Sequence, residues 1–133
     1  MERAVVRVET GERLVTDVTG AVERFCRGKG DGLVHVFTPH ATAGLALMEL
    51  GSGSEADLAE LLARLLPRDD RYVHRHGSPG HGADHLLPAL IRPDLVLAVV
   101  AGEIQLGTWQ RIALIDTNRD NPTRRVEMTY LTG

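Results

Sequence analysis

Histidine is the residue with the most to say in this chain, and all six copies, His35, His40, His74, His76, His81 and His85, fall into two stretches. Neutral imidazole is a common protein ligand for zinc and similar divalent ions, and a catalytic zinc site takes three protein ligands and leaves one position open. Two stretches that meet could build such a site. The spacing His74-x-His76 puts two rings on one side of an extended chain, which suits bidentate capture of a metal and equally suits a solvated loop. His81 and His85 would share a helix face at i and i+4 if a helix began early. Gly80 and Gly82 flank His81 and argue for a loop there, which leaves His85 alone on a firm element. His35 alternates with apolar residues in Leu33–Phe37 and reads as a core or subunit-interface histidine. His40 follows that strand among small neighbours, TPHATAG, where a strand end offers a rigid platform for a ligand.

Other groups could join this chemistry. Glu49 interrupts the apolar segment LALMEL; if buried it must be a ligand, a general base or an arginine partner, and otherwise it is an exposed carboxylate. Asp57 reads as an acidic residue in a helix first turn. The run GEIQLGTWQ holds the only Trp, and Trp109 is either a stacking surface for a ligand or, the more ordinary reading, a core residue of a strand. Gln110 could hydrogen-bond the same ligand. Cys26 lies in the pattern Val22, Phe25, Cys26 as a small buried hydrophobe, and a single cysteine excludes an internal disulfide. No phosphate-binding glycine loop, nucleophile elbow or H-E-x-x-H helix is present.

The elements that must position these residues follow from periodicity. Ala4–Thr10 and Leu14–Val18 read as strands joined at Gly11, Thr19 caps a short helix over Ala21–Cys26, and Leu33–Phe37 is a strand. Gly44–Leu50 is a strand or a helical turn. Ser54 with Asp57 resembles a capping box ahead of Leu58, Leu61, Leu62, Leu65 and Leu66, a helix ending before Pro67. Residues 68–82 form a long polar loop, the place to look for function. Asp84–Ile91 is a short helix with Pro88 near its start. Leu95–Ala101, Glu103–Leu106, Thr108–Asp116 and Arg124–Tyr130 give four strands, expected to form an antiparallel meander.

Composition bounds the rest. One domain over residues 1–133 is expected from a chain of 133 residues, 43% hydrophobic and 25% charged, and it needs neither disulfide nor structural metal to fold. Acidic residues outnumber basic ones, 18 to 15, which argues against a nucleic-acid partner. No run approaches the roughly 18 apolar residues of a membrane span, so neither a membrane nor a leader is expected and the cytoplasm is the default location.

Four segments in order, HATAGLALMEL, Tyr72-x-His74, Ala83-Asp84-His85-Leu86 and LGTWQ, resemble the YjbQ-like family, also called the secondary thiamine-phosphate synthase family, along almost the whole chain. The resemblance implies an α+β single domain, a mostly antiparallel β assembly with two to three helices, and a homotrimer. It implies that His40, His74 and His85 bind a divalent metal, with zinc the expected ion, and that Glu49 is the acid or base of the site. It assigns Trp109, Gln110 and Thr42 to a small phosphorylated substrate. The activity implied is the joining of hydroxymethylpyrimidine diphosphate to thiazole phosphate with release of pyrophosphate. A metal-dependent hydrolase or lyase acting on a small phosphorylated compound is the alternative, and a non-catalytic metal- or ligand-binding oligomer a third. Three positions depart from the pattern: His81 stands where the family has an asparagine, and Pro88 and Arg92 stand where it more often has small residues.

Overall fold

Val34 and Val36 are fully buried and alternate with Leu33, His35 and Phe37, so the strand they form covers a core with one face only. The computed structural model describes residues 1–133 and repeats this device around a layered α+β architecture. Strands β1 (Glu2–Glu9), β3 (Gly32–Phe37), β5 (Asp94–Val100), β6 (Glu103–Ile104) and β8 (Thr123–Thr132) make one antiparallel sheet, in the order β1-β8-β3-β5-β6. Strands β2 (Val15–Asp17), β4 (Ala43–Met48) and β7 (Arg111–Asp116) make a second, in the order β2-β7-β4.

The main core lies between the sheets. Val34, Val36, Leu97, Val99, Val126, Met128 and Tyr130 face Leu45, Ile112 and Leu114, and helix α1 (Thr19–Cys26) closes one side with Val22 and Cys26. Ala113 and Ile115 point the other way and pack under α2 (Ser54–Leu65) and the segment Ala83–Leu87. Strand β7 is thus covered on both faces, and five of its six residues are buried. This explains why the expected meander does not form. Strand β7 leaves the β5–β6 hairpin to become the middle strand of the second sheet, and β8 returns to lie between β1 and β3. Gly44–Leu50 resolves as a strand, β4, hydrogen-bonded along β7.

Two helix starts differ from expectation. Thr19 is the first residue of α1; its hydroxyl donates to Asp17 (2.6 Å) and accepts the backbone N–H of Ile112 (2.8 Å), so it ties α1 to β7. Ser54 forms no capping box: Gly53 holds the cap position at φ 102°, and the Glu55 carboxylate accepts the backbone N–H of Gly51 (3.0 Å). The β5–β6 hairpin turns on Ala101 and Gly102, both at positive φ, the requirement of a two-residue type I′ turn. No helix is long and apolar enough to cross a membrane.

Candidate metal centre

The polar segment after α2 is irregular but tied to itself. Tyr72 donates its hydroxyl to the Pro67 carbonyl (2.7 Å), and the Arg75 guanidinium donates to the carbonyls of Tyr72 (3.1 Å) and Asp70 (2.8 Å). These bonds bend the loop so that His74 and His76 present their rings together, with centroids 4.0 Å apart. A 3-10 helix, His81–Leu86, and α3 (Leu87–Leu90) follow directly. The 3-10 helix begins at His81, earlier than its flanking glycines suggest. Gly82 is a spacer: a Cβ there would lie 2.6 Å from the His74 carbonyl and 2.7 Å from the Tyr72 Cβ. Only a glycine lets the helix approach the loop closely enough to bring His85 to His74, with ring centroids 4.3 Å apart.

Three rings therefore converge. One ring nitrogen each of His74, His76 and His85 lies within 4.8 Å of the others, a donor set able to hold a metal ion. His81 completes the cluster from its buried side, its Nε2 2.9 Å from the Nε2 of His85. Beneath it Asp84, fully buried, accepts from the His81 Nδ1 (3.0 Å) and pairs with the guanidinium of Arg68. Asp120, from the loop between β7 and β8, accepts the Ser78 backbone N–H (3.1 Å) and lies 3.5 Å from the His81 Nδ1. Burial, followed by the neighbouring His74, His81 and His76, holds the His85 pKa below the ordinary histidine range, so its ring is neutral at neutral pH and has a lone pair to offer. The Ser78 hydrogen bonds hold the Asp120 carboxyl below the usual carboxylate range. The loop encloses a cavity of about 330 Å³ lined by Tyr72, His74, Arg75, His76 and His81.

The other expected site residues lie elsewhere in the chain. His40 is outside the cluster: its Nε2 accepts the backbone N–H of Arg125 (2.9 Å), and burial together with Arg124 lowers its pKa. Thr42 is buried and donates to Asp116 (3.0 Å), whose carboxylate is paired with buried Arg124. Glu49 is exposed beyond the end of β4 and does not line the histidine cavity. Trp109 is 72% exposed on a turn, so the core reading is corrected. Gln110 closes that turn by accepting the Gly107 N–H (2.8 Å), and lines a separate cavity of about 440 Å³ with Thr19, Glu23 and Arg27. His35 is half-buried on the outer face of the five-stranded sheet and bonds to Asp94 (2.9 Å). Sequence reasoning missed Asp84 as a partner of the histidines. Its signal was the i, i+3 spacing from His81, which became visible only once the helix start was known.

The family model for the UPF0047 protein YjbQ-like family matches residues 4–133. The UPF0047 protein Rv2556c of Mycobacterium tuberculosis is 53% identical over 133 residues and covers all of both chains. A UPF0047 protein of Archaeoglobus fulgidus is 38% identical over 121 residues, covering 90% of this chain and 93% of its own. Among solved structures, protein APE1520 of Aeropyrum pernix K1 superposes with a TM-score of 0.89 at 34% identity over the full length of both chains. Protein TT1486 of Thermus thermophilus gives 0.83 at 34% identity, covering 96% of this chain and 99% of its own.

Proposed function

The chain belongs to the UPF0047 YjbQ-like family, and from that premise we propose that it is a metal-dependent hydrolase or lyase acting on a small phosphorylated compound at its histidine centre. The observation that carries this reading is the convergence of ring nitrogens of His74, His76 and His85, two of which line a polar cavity. Three imidazole nitrogens fit zinc or a neighbouring transition metal, whereas Mg²⁺ and Ca²⁺ prefer oxygen donors. A zinc ion held there would polarise a phosphoryl oxygen and acidify a water. The chain's own residues would do the rest. Arg75, on the cavity wall between His74 and His76, supplies a cation for a phosphate group. The Asp84 and Asp120 carboxylates stand behind His81 and fix its ring.

The imidazole donor set supports hydrolysis or elimination better than the pyrophosphate-releasing condensation implied by the resemblance, because departing pyrophosphate is ordinarily held by Mg²⁺ on carboxylates. The exposed apolar row Leu33, Val96, Val100 and Leu131 on the outer face of the five-stranded sheet supports the expected homotrimer.

The test is calorimetric titration of metal-free protein with zinc, followed by assay of the loaded protein against small phosphomonoesters. About one ion per chain, lost in His74→Ala, His76→Ala and His85→Ala and kept in His40→Ala, is expected together with phosphate release. Zinc binding that survives all three substitutions overturns the centre. A loaded protein that condenses the two thiamine precursors and hydrolyses no phosphoester overturns the reaction class.

A further inference from the structure

A second cavity, of about 320 Å³, opens between the last turns of α2 and the loops that precede β2 and follow β7. No residue lines both this cavity and the one beside the histidines. Its apolar wall comes from the side-chain sizes along α2 and its end. Leu62 and Leu66 are buried one turn apart, whereas Ala59 and Ala63, also one turn apart, leave room that larger side chains would fill. Leu14, from the loop before β2, packs against the same cluster and supplies the facing wall.

Four charged side chains reach the cavity, and two of them are already neutralised inside the protein. Arg68 pairs with Asp84, and Asp116 pairs with Arg124. The other two, Glu12 and Arg119, carry opposite charges and have neither an ion-pair partner nor a side-chain hydrogen bond. Thr117, on the same wall, has a buried hydroxyl without a hydrogen-bond partner. We infer that this cavity binds an apolar α-amino acid of about the size of leucine or phenylalanine. The apolar side chain lies against Leu14, Leu62 and Leu66; the carboxylate meets the Arg119 guanidinium, whose paired N–H donors match its two oxygens, and the ammonium donates to the Glu12 carboxylate. A cavity of this volume is at the small end of ligand pockets, which run from about 300 to 1,000 Å³. The unpaired Glu12 disfavours a polyanion, and the unpaired Arg119 disfavours a simple amine. A zwitterion with an apolar side chain is the class that uses both charges and the wall together.

The test is a titration of the full ¹⁵N-labelled chain with L-leucine and with L-phenylalanine, followed by amide chemical shifts. Saturable shifts are expected at Leu14, Ala63 and Arg119, with none at His74 or His76. Ala63→Leu fills the cavity and should abolish them. Arg119→Gln and Glu12→Gln should each weaken binding about 2- to 5-fold, the effect of losing one solvent-exposed ion pair. All three positions are exposed, so thermal unfolding should be little changed. Two analogues put the same question to the unaltered chain: 4-methylpentanoate lacks the ammonium and 3-methylbutylamine lacks the carboxylate, and both should bind more weakly than leucine. Absence of saturable shifts with both amino acids overturns the inference, as does binding that persists in Ala63→Leu. An analogue that binds as tightly as leucine overturns the zwitterion assignment. None of these outcomes depends on the metal centre, whose own test is zinc binding.

Discussion

Arg124 and Asp116 form the most deeply buried ion pair in the chain, 2% and 4% exposed, and they pin both ends of the loop that carries Asp120 to His81. The Arg124 Nη1 also donates to the carbonyls of Asn121 and Thr123, while Asp116 accepts from Thr42 (3.0 Å) and from the Asn118 backbone (2.8 Å). Arg124→Met would leave that carboxylate buried without its counter-charge. Breaking a buried pair from one side costs about 3–5 kcal/mol. The unfolding entropy of a chain this long, near 2.1 cal/mol/K per residue, converts about 4 kcal/mol into a fall of roughly 14 °C in Tm. The pair is not fully satisfied, since the Arg124 Nη2 is buried without a partner. Its net worth relative to an uncharged replacement is therefore smaller than the single-variant cost. Arg124→Met combined with Asp116→Asn keeps an acceptor for Thr42 and Asn118, and should recover more than half of the loss. Urea and thermal unfolding of the two single variants and the double variant read these numbers directly. A single variant that loses under about 1 kcal/mol, or a double variant as unstable as the sum of the singles, would refute the reasoning.

Acid should destabilise the protein near neutrality. Burial first, and cationic or histidine neighbours second, hold His85 and His40 below the ordinary value near 6.5, so the unfolded chain binds more protons just below that pH. Stability is full above about pH 7 and falls as pH drops through 6.5 toward the folded-state values; denaturant unfolding that is as strong at pH 5.5 as at 7.5 would contradict this. Gly82→Ala places a Cβ 2.6 Å from the His74 carbonyl, which must separate His74 from His85, and zinc affinity should fall about 10-fold or more by calorimetry. Trp109→Ala should change stability by no more than about 0.5 kcal/mol, since the ring is 72% exposed; a larger loss in thermal unfolding would restore a packing role.

Much of the fold was legible because half-buried strands print their alternation on the sequence. Val34 and Val36, and likewise Val126, Met128 and Tyr130, show it plainly. What failed was long-range pairing. Strand β7 is buried on both faces and has no alternation, so nothing local in RIALID says that it belongs between β2 and β4. A turn at Gly107 was visible; which sheet the chain enters afterwards depends on contacts with Ile115 and Val15, about a hundred residues apart. Strand β4 was ambiguous for the same reason, its first three residues being buried without a break.

The site divides along a similar line. The two-residue spacing of His74 and His76 made their pairing readable, and the hydrogen bonds of Tyr72 and Arg75 complete it by bending the loop. The approach of His85 depends on Gly82, which a sequence reading takes as a helix breaker and the structure uses as clearance beside His74 and Tyr72. One physical property, the missing Cβ, supports both meanings, and only the opposing surface decides between them. The family resemblance places His40 with the ligands, and its position just past the end of β3 offers a firm platform. Within the single chain the His40 Nε2 accepts the backbone N–H of Arg125 on β8, and the three ring nitrogens that converge come from the loop and the 3-10 helix. That geometry makes a sharp expectation for His40→Gln: a side-chain oxygen can still accept the Arg125 N–H, so zinc stoichiometry and most of the stability should both survive, whereas His40→Leu hands that exposed N–H to water and should cost about 0.5–1.5 kcal/mol with zinc binding still intact. Loss of zinc in either variant, measured on folded protein, would return His40 to the ligand set.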